Sequence, residues 1–400
     1  MADLETFRNE TRAWLQGTCP PALVGRPANE LEGTWGGRKW QFAIPELRDW
    51  LEIMADKGWT APTWPSEYGG GDLSTAEAKV LAQEMAAHKI PPPLIGFGLT
   101  MIGPTLLRYG SEALKSEHLP KICRGQIRWC QGYSEPGSGS DLASLQTRAV
   151  REGDEFVVTG TKVWTSYADQ ADWIFALVRT DPQAKKQEGI TFLLIDMESP
   201  GVSLAPILLL SGKSPFCETH FAEVRVPVAN VIGEVNGGWT VAKALLGHER
   251  SMIADAFGGG GRDRPGRRSR TVEWAAKYLG EENGRLRDAM LRDEVVQNEM
   301  DGKAFGLTVQ RARDAAQAGQ QPGSESSLFK IYGTELNQRR HELLVRVAGP
   351  QALGWEGPGY DDDELTLTRE WLRSRGNSIE GGTSEVQLNI IAKRVLGLPD

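Results

Sequence analysis

The sequence predicts an α+β protein built from segregated domains, and two changes of hydrophobic rhythm predict it. Up to about residue 126 apolar side chains recur at helical spacing. From 127 to 236 they fall in short alternating or continuous runs cut by turns, and from 237 the helical spacing returns. Helices, strands and helices in separate blocks argue against a βαβ fold, so the chain divides at 1–126, 127–236 and 237–400. A third observation, 40% hydrophobic residues over 400 positions, supplies enough apolar surface for substantial cores.

In the first block Phe7, Ala13 and Trp14 suggest one face of a helix, and Leu47, Leu51, Ile53 and Met54 that of another. Ser74 and Glu77 have the spacing of a capping box, ahead of an Ala/Leu/Met-rich stretch that ends at Ala87. Residues 59–71 contain Pro62, Pro65 and Gly69-Gly70-Gly71, which exclude a helix, and their aromatic residues suggest a partly buried connection.

The second block reads as strands at 155–158, 173–178, 190–195, 202–207 and 219–226, punctuated by Gly153-Asp154 and Gly160. After Gly237-Gly238-Trp239 the third block is helical almost to the end. It is interrupted by Gly258-Gly259-Gly260-Gly261 and then Arg262, Arg264, Arg267, Arg268 and Arg270. Arginine suits phosphate, so this loop is a candidate for the phosphates of a nucleotide-bearing ligand; a merely solvated loop is the plainer reading.

A net charge of −8 argues against a general nucleic-acid binder. Cys19, Cys123, Cys130 and Cys217 lack the short paired spacing of zinc or redox sites, and a reduced compartment fits them. The first residues are acidic and lack an apolar h-region, and no run approaches the roughly 20 apolar residues of a membrane span. A soluble, cytoplasmic protein is expected.

The most informative run is Trp129-Cys130-Gln131-Gly132-Tyr133-Ser134-Glu135-Pro136-Gly137-Ser138-Gly139-Ser140-Asp141, followed by Gly160-Thr161-Lys162-Val163-Trp164-Thr165-Ser166. It combines a glycine-rich turn, small hydroxyls and a bulky aromatic, the parts needed to hold a flat, polar ring against a sheet. A Gly-Ser run alone is usually a surface turn, and an isolated tryptophan on a strand is ordinarily core. Their combination makes both specific.

Residues 134–141 resemble the first signature of the acyl-CoA dehydrogenase family, and residues 162–166 its partner on the flavin wall. Residues 58–70 are similar to the N-terminal domain of many bacterial members, and Ser378-Ile379-Glu380-Gly381-Gly382-Thr383-Ser384-Glu385 resembles the C-terminal signature. The resemblance implies an N-terminal α domain, a central β barrel and a C-terminal four-helix bundle, with FAD and acyl-CoA between them.

What the resemblance implies for single residues follows position by position. Trp164 would stack on the flavin and the Ser166 hydroxyl would bond near N5, with Thr165 between them in the same segment. Gln131, Tyr133 and Ser134 match contacts to the pyrimidine end of the ring. Gly139 permits close backbone approach, Ser140 sits where the family contacts phosphate or pantetheine, and Thr383 and Glu385 fall in the C-terminal segment of the cofactor site. The implied reaction removes the α proton of an acyl-CoA with a carboxylate and transfers a β hydride to the flavin, giving a trans-2-enoyl-CoA. Electrons would then pass to an electron-transfer flavoprotein.

Two carboxylates compete as the base. Most members carry glutamate two residues before the signature threonine; here that position is Gly381, and Glu380 is one residue out of register. A smaller group places its base on a bundle helix just before an arginine, as in His248-Glu249-Arg250. Glu249 is therefore the expected base and Glu380 the alternative. Arg250 would position the surrounding loop by its charge, and Gly381 would offer its backbone N–H to the thioester.

Two departures concern the part of the FAD site that a neighbouring subunit donates in many members. The Arg-x-x-Phe-Gly stretch and its Phe-Gln pair correspond here to residues 283–297, without Phe-Gly and with Glu294 near the usual glutamine. The Gln-x-x-Gly-Gly segment appears as Arg346-Val347-Ala348-Gly349-Pro350-Gln351. A homo-oligomer is one expectation, and pairing with a related subunit that supplies the missing contacts is the other. An FAD-poor, non-catalytic partner subunit and an acyl-CoA oxidase are the alternative functions.

Overall fold

The computed structural model describes residues 4–25, 33–246, 268–317 and 326–399. It divides into two compact units, Met1–Ile207 with Pro215–Leu245, and Leu208–Ser214 with Leu246–Asp400.

Among the described residues the first unit begins with five α-helices: α1 (Leu4–Thr18), α2 (Pro45–Asp56), α3 (Thr75–Ala87), α4 (Gly103–Tyr109) and α5 (Glu112–Cys123). The Ser74–Glu77 capping box forms as its spacing predicts, each side chain accepting from the other residue's backbone N–H. On α1 Phe7 and Trp14 pack against the core, as the face read from sequence requires, and the fully buried residues are Thr11 and Leu15, whereas Ala13 is exposed, contrary to that reading. Arg8, Thr11, Arg12 and Leu15 share one side of the helix, and the two arginines reach the buried carboxylate of Glu84 on α3, each at 2.8 Å. The Arg12 hydrogen bond holds that carboxyl below the usual range, against the opposing effect of burial. Leu15, Leu23, Leu47, Trp50 and Met54 form the core beneath.

The 59–71 connection is buried through Trp59, Trp64 and Tyr68. Gly103 is required by this packing, because a Cβ there would stand 2.0 Å from the Trp64 ring.

The strands are β1 (Trp129–Gly132), β2 (Arg148–Glu152), β3 (Glu155–Ser166), β4 (Trp173–Arg179), β5 (Ile190–Asp196), β6 (Val202–Ile207), β7 (Phe216–Pro227) and β8 (Val231–Ile232). Their hydrogen-bonded path runs β6–β7–β3–β2–β4–β5–β8, with β1 parallel on β4. All five predicted strands are present. The polar β2, with only Ala149 buried, carries no apolar alternation to read. Phe156, Val158, Ile174, Leu193 and Phe221 belong to the core of this sheet. A helix α6 follows over 238–246.

In the second unit α7 (Arg270–Leu279) leads through a small hairpin, β9 (Glu281–Glu282) and β10 (Arg285–Leu286), to α8 (Ala289–Gln317) and α9 (Ser326–Ala348). Then come α10 (Asp362–Ser374) and α11 (Ser384–Ile390). Helix α9 packs against α7, α8, α10 and α11. Trp274, Val295, Leu344, Val347 and Leu367 are in its core.

A strap from the sheet, Leu208–Ser214, belongs to this second unit. Arg369 of α10 lies 3.7 Å over the Trp355 ring and donates to the Ser211 carbonyl at 2.9 Å and the Trp355 carbonyl at 3.0 Å. Gly212, at φ +75°, leaves the room this needs; a Cβ there would meet the guanidinium at 2.4 Å.

Most of the predicted Gly/Arg loop, including Arg262, Arg264 and Arg267, lies outside the described residues. Arg268 and Arg270 are described, and both are ion-paired, to Glu281 at 2.7 Å and Glu370 at 3.3 Å. Among the described residues no helix is long and apolar enough to cross a membrane, and no cluster of metal-binding side chains occurs.

Candidate functional site

The signature turn after β1 is fixed from several sides. Glu135 and Ser138 exchange backbone hydrogen bonds at 3.0 Å, and the Ser138 and Ser144 hydroxyls both donate to the Asp141 carbonyl, at 2.8 and 2.7 Å. Arg179 donates to the carbonyls of Ala143, at 2.6 Å, and Lys186, at 2.7 Å. The tip is left to solvent: Gly139 and Ser140 are exposed, and a Cβ on Gly139 would meet nothing within 4 Å. The space above that glycine is open to a ligand.

Next to this turn the β3–β7 register shifts between Lys162 and Thr165, a bulge of the kind that re-aims a side chain. Thr165 turns inward, fully buried, its hydroxyl donating to the Cys217 carbonyl at 2.6 Å and lying 2.8 Å from the Thr219 hydroxyl. The hydroxyl is spent inside the sheet, so Thr165 braces the bulge and does not present its side chain to a cofactor. Trp164 turns outward, 53% exposed, in the left-handed region at φ +61° and edge-on to Phe216 at 5.9 Å.

That conformation costs a non-glycine residue about 1–3 kcal/mol. Leaving half of an indole in water forgoes roughly 2 kcal/mol more. Folding alone gives no reason for either cost. Half-buried Ser166 follows on the same strand; on the β1 side stand half-buried Gln131 and Tyr133, which is buried edge-on to Phe175 and Phe192. The Val163 N–H donates to the Ser134 carbonyl at 2.8 Å, tying the two segments together. The structure thus gathers Gln131, Tyr133, Ser134, Gly139, Ser140, Trp164 and Ser166 in one unit.

Sequence reading passed over two features here. Lys162, fully buried, lies 2.7 Å from Glu135, although both residues stand within the quoted motifs. Tyr167, also left-handed at φ +51°, packs with Trp35 against the buried Arg128 guanidinium, which is 4.6 Å from Trp35 and 5.2 Å from Tyr167. Only the adjacency of Tyr167 to Ser166 signalled it.

In the second unit Gly381 and Gly382 have φ +64° and +94° and turn the chain into α11. Thr383 caps that helix, accepting from the Val386 N–H at 3.2 Å. Backbone hydrogen bonding and the Thr383 hydroxyl hold the Glu385 carboxyl below its usual range. Gln387 donates to the Gly381 carbonyl at 3.3 Å. Both oxygens of Glu380 are engaged, one by Arg373 at 2.7 Å and the other by Asn377 at 2.5 Å. Buried Lys330 of α9 faces Glu380 and Glu385, and burial lowers its pKa. Glu249 and Arg250 lie outside the described residues.

The chain matches the N-terminal domain of acyl-CoA dehydrogenases over residues 2–126, the middle domain over 130–224 and the C-terminal domain over 236–396. It belongs to the acyl-CoA dehydrogenase family, whose members are flavoprotein oxidoreductases of lipid β-oxidation. The acyl-CoA dehydrogenase IpdE1 of Mycobacterium tuberculosis is 33% identical over 403 residues, covering 100% of this chain and 99% of the relative. Among solved structures, "Tcur3481-Tcur3483 steroid ACAD" is 32% identical at a TM-score of 0.76, covering 100% of this chain and 98% of that one. The ChsE4–ChsE5 complex from Mycobacterium tuberculosis is 29% identical at a TM-score of 0.73, with the same two coverages. The chain is an oxidoreductase of the acyl-CoA dehydrogenase type.

Proposed function

We propose that this chain is an FAD-dependent acyl-CoA dehydrogenase that forms a trans-2-enoyl-CoA, passes electrons to an electron-transfer flavoprotein and works beside a related subunit. The observation that carries the cofactor reading is Trp164, held half-exposed in a left-handed bulge beside Ser166. That surface fits a flat ring with polar edges: Trp164 covers a face, Ser166, Ser134 and Gln131 offer hydrogen bonds, and the open space at Gly139 admits the chain beyond. Bound there, FAD would supply the acceptor for the hydride leaving Cβ.

The remaining chemistry falls to the protein. Glu249 takes the α proton, and the electron pair of that C–H bond becomes the new Cα=Cβ bond as the hydride leaves. Gly381 donates its N–H to the thioester oxygen, stabilising the charge that develops there. The engagement of Glu380 by Arg373 and Asn377 favours Glu249 over it as base. Thr383 and Glu385 hold the turn on which Gly381 sits. We divide the roles among an N-terminal helical, a central β and a C-terminal helical domain, meeting near residues 126 and 236.

A related partner subunit is favoured by Arg346 and Glu294, which stand at the altered positions of the donated half-site and bind each other. Two of the structural relatives carry paired names, in keeping with this reading. The name of the first, a steroid ACAD, also makes a ring-bearing acyl group, up to a steroid, the preferred substrate class. A cytoplasmic location accords with four free, buried cysteines.

The test is anaerobic: acyl-CoA thioesters from short branched to steroid-bearing are added to the purified protein, alone and with its partner, and the flavin absorbance is followed. Bleaching by ring-bearing thioesters is expected. A flavin-loaded protein that no thioester bleaches would overturn the dehydrogenase reading, and rapid oxygen uptake when the same mixtures are run in air would make it an oxidase. Full FAD occupancy in a homo-oligomer would remove the need for a partner.

A further inference from the structure

The bulge that carries Trp164 lies between two buried polar anchors. On its C-terminal side is the Thr165 hydroxyl, bound to the Cys217 carbonyl. On its N-terminal side is Lys162, whose Nζ lies 2.7 Å from Glu135 Oε1 and donates to the Tyr133 carbonyl at 3.1 Å. Glu135 in turn accepts from the N–H of Thr147, at 2.8 Å on the same oxygen, and from that of Gln146, at 2.6 Å on the other. One carboxylate therefore joins the signature turn, the approach to β2 and the strand bearing Trp164.

Fold stability is a poor explanation for this pair. Burial pushes the Lys162 ammonium down to about 8 despite the pull of Glu135, with the Arg179 guanidinium adding a further downward push. A buried ion pair is often no more stabilising than apolar residues of similar volume. What it supplies is direction. Its hydrogen bonds have fixed partners at fixed lengths, and a strained backbone persists only where its surroundings over-determine it.

We infer that Glu135 and Lys162 are positioning residues for Trp164, clamping the left-handed bulge so that its indole faces the ring site. The inference rests on the cofactor reading for its purpose, but the clamp itself can be measured without FAD.

The experiment uses the full chain and the doubly neutral variant E135Q/K162M. The contribution of Trp164 to the near-ultraviolet circular dichroism and to acrylamide-quenched fluorescence is obtained by difference against W164F, made in both backgrounds. In the double variant the Trp164 dichroism should collapse and its quenching should change, while the unfolding midpoint stays close to that of the parent. FAD added to the same proteins should bind at least about tenfold more weakly to the double variant, the equivalent of about 1.4 kcal/mol.

An unchanged Trp164 signal would overturn the clamp. A changed signal in a chain whose parent takes up no FAD, even with its partner, would uphold the clamp and sink the cofactor reading instead. If the double variant does not fold, E135Q alone, which keeps an acceptor oxygen and removes the carboxylate charge, is read in the same way.

Discussion

Arg346 and Glu294 form a two-pronged ion pair between α9 and α8, with Arg346 Nη2 2.8 Å from Glu294 Oε1. The resemblance places a glutamine at or near each position. Their changes to opposite charges are complementary, so the two side chains satisfy each other. Both are substantially exposed, and such pairs contribute about 0–1 kcal/mol. The variant R346Q/E294Q should therefore unfold within a few degrees of the parent and leave the flavin content of the assembled protein unchanged. A loss of more than half the flavin, read by absorbance after gel filtration, would show that the pair itself forms part of a cofactor site.

Trp164→Gly separates folding from cofactor binding. Glycine tolerates the φ of +61° that strains tryptophan, and the strain relieved, about 1–3 kcal/mol, is offset by loss of the buried half of the indole, worth roughly 2 kcal/mol, so urea unfolding should show a net change within about 1 kcal/mol. FAD affinity should fall about tenfold or more, as expected for loss of a stacking surface. A variant that loses several kcal/mol of stability would mean that Trp164 serves the fold.

The candidate bases separate by effect. Glu249→Gln should reduce turnover by about a thousandfold or more while flavin binding is retained, since it removes the proton acceptor. Glu380→Gln should leave turnover within about tenfold of the parent and cost about 1 kcal/mol of stability, through the loss of its Arg373 pair. Steady-state kinetics on both variants decides the matter, and the reverse pattern would move the base to Glu380.

His118 predicts a response to acid. It is buried between Trp129 and Trp173, with ring centroids 5.3 and 4.8 Å away, and neither nitrogen has a hydrogen-bond partner among the described residues. Burial lowers its pKa to about 4, Lys121 adding to that effect and Glu117 and Asp196 opposing it. The unfolded chain, titrating near the ordinary 6.5, binds more protons than the native one between these values. Stability should accordingly fall as pH drops from about 6.5 towards 4. The slope of unfolding free energy against pH should flatten in that window in His118→Phe; an unchanged slope would assign the effect to other groups, partly buried His341 among them.

Local rules were legible in the sequence wherever one neighbourhood decided the outcome. Ser74 and Glu77 cap α3 as three-residue spacing requires, and the apolar runs of β4 and β5 became the buried strands they resembled. Tertiary demands were not. Ala13 yields its place on α1 to Thr11 because two arginines turn the helix towards Glu84, and nothing in residues 4–18 announces a carboxylate seventy positions away. The signature motifs singled out the segment that carries Trp164 and Ser166, yet not that Thr165 would face inward. That depends on a register shift against β7, fixed by a partner strand about fifty residues further along.

The strap at Leu208–Ser214 has a consequence for how this chain can be divided. The helical unit takes its carbonyl partner for Arg369 from a loop between two strands of the other unit, so a single cut near 245 does not separate the two units. A fragment beginning there would lack Ser211 and Gly212 and leave the stacked Arg369–Trp355 surface unfinished. The C-terminal helices are thus not an interchangeable cassette: recombination with a relative would have to carry the hairpin along or rebuild its seat.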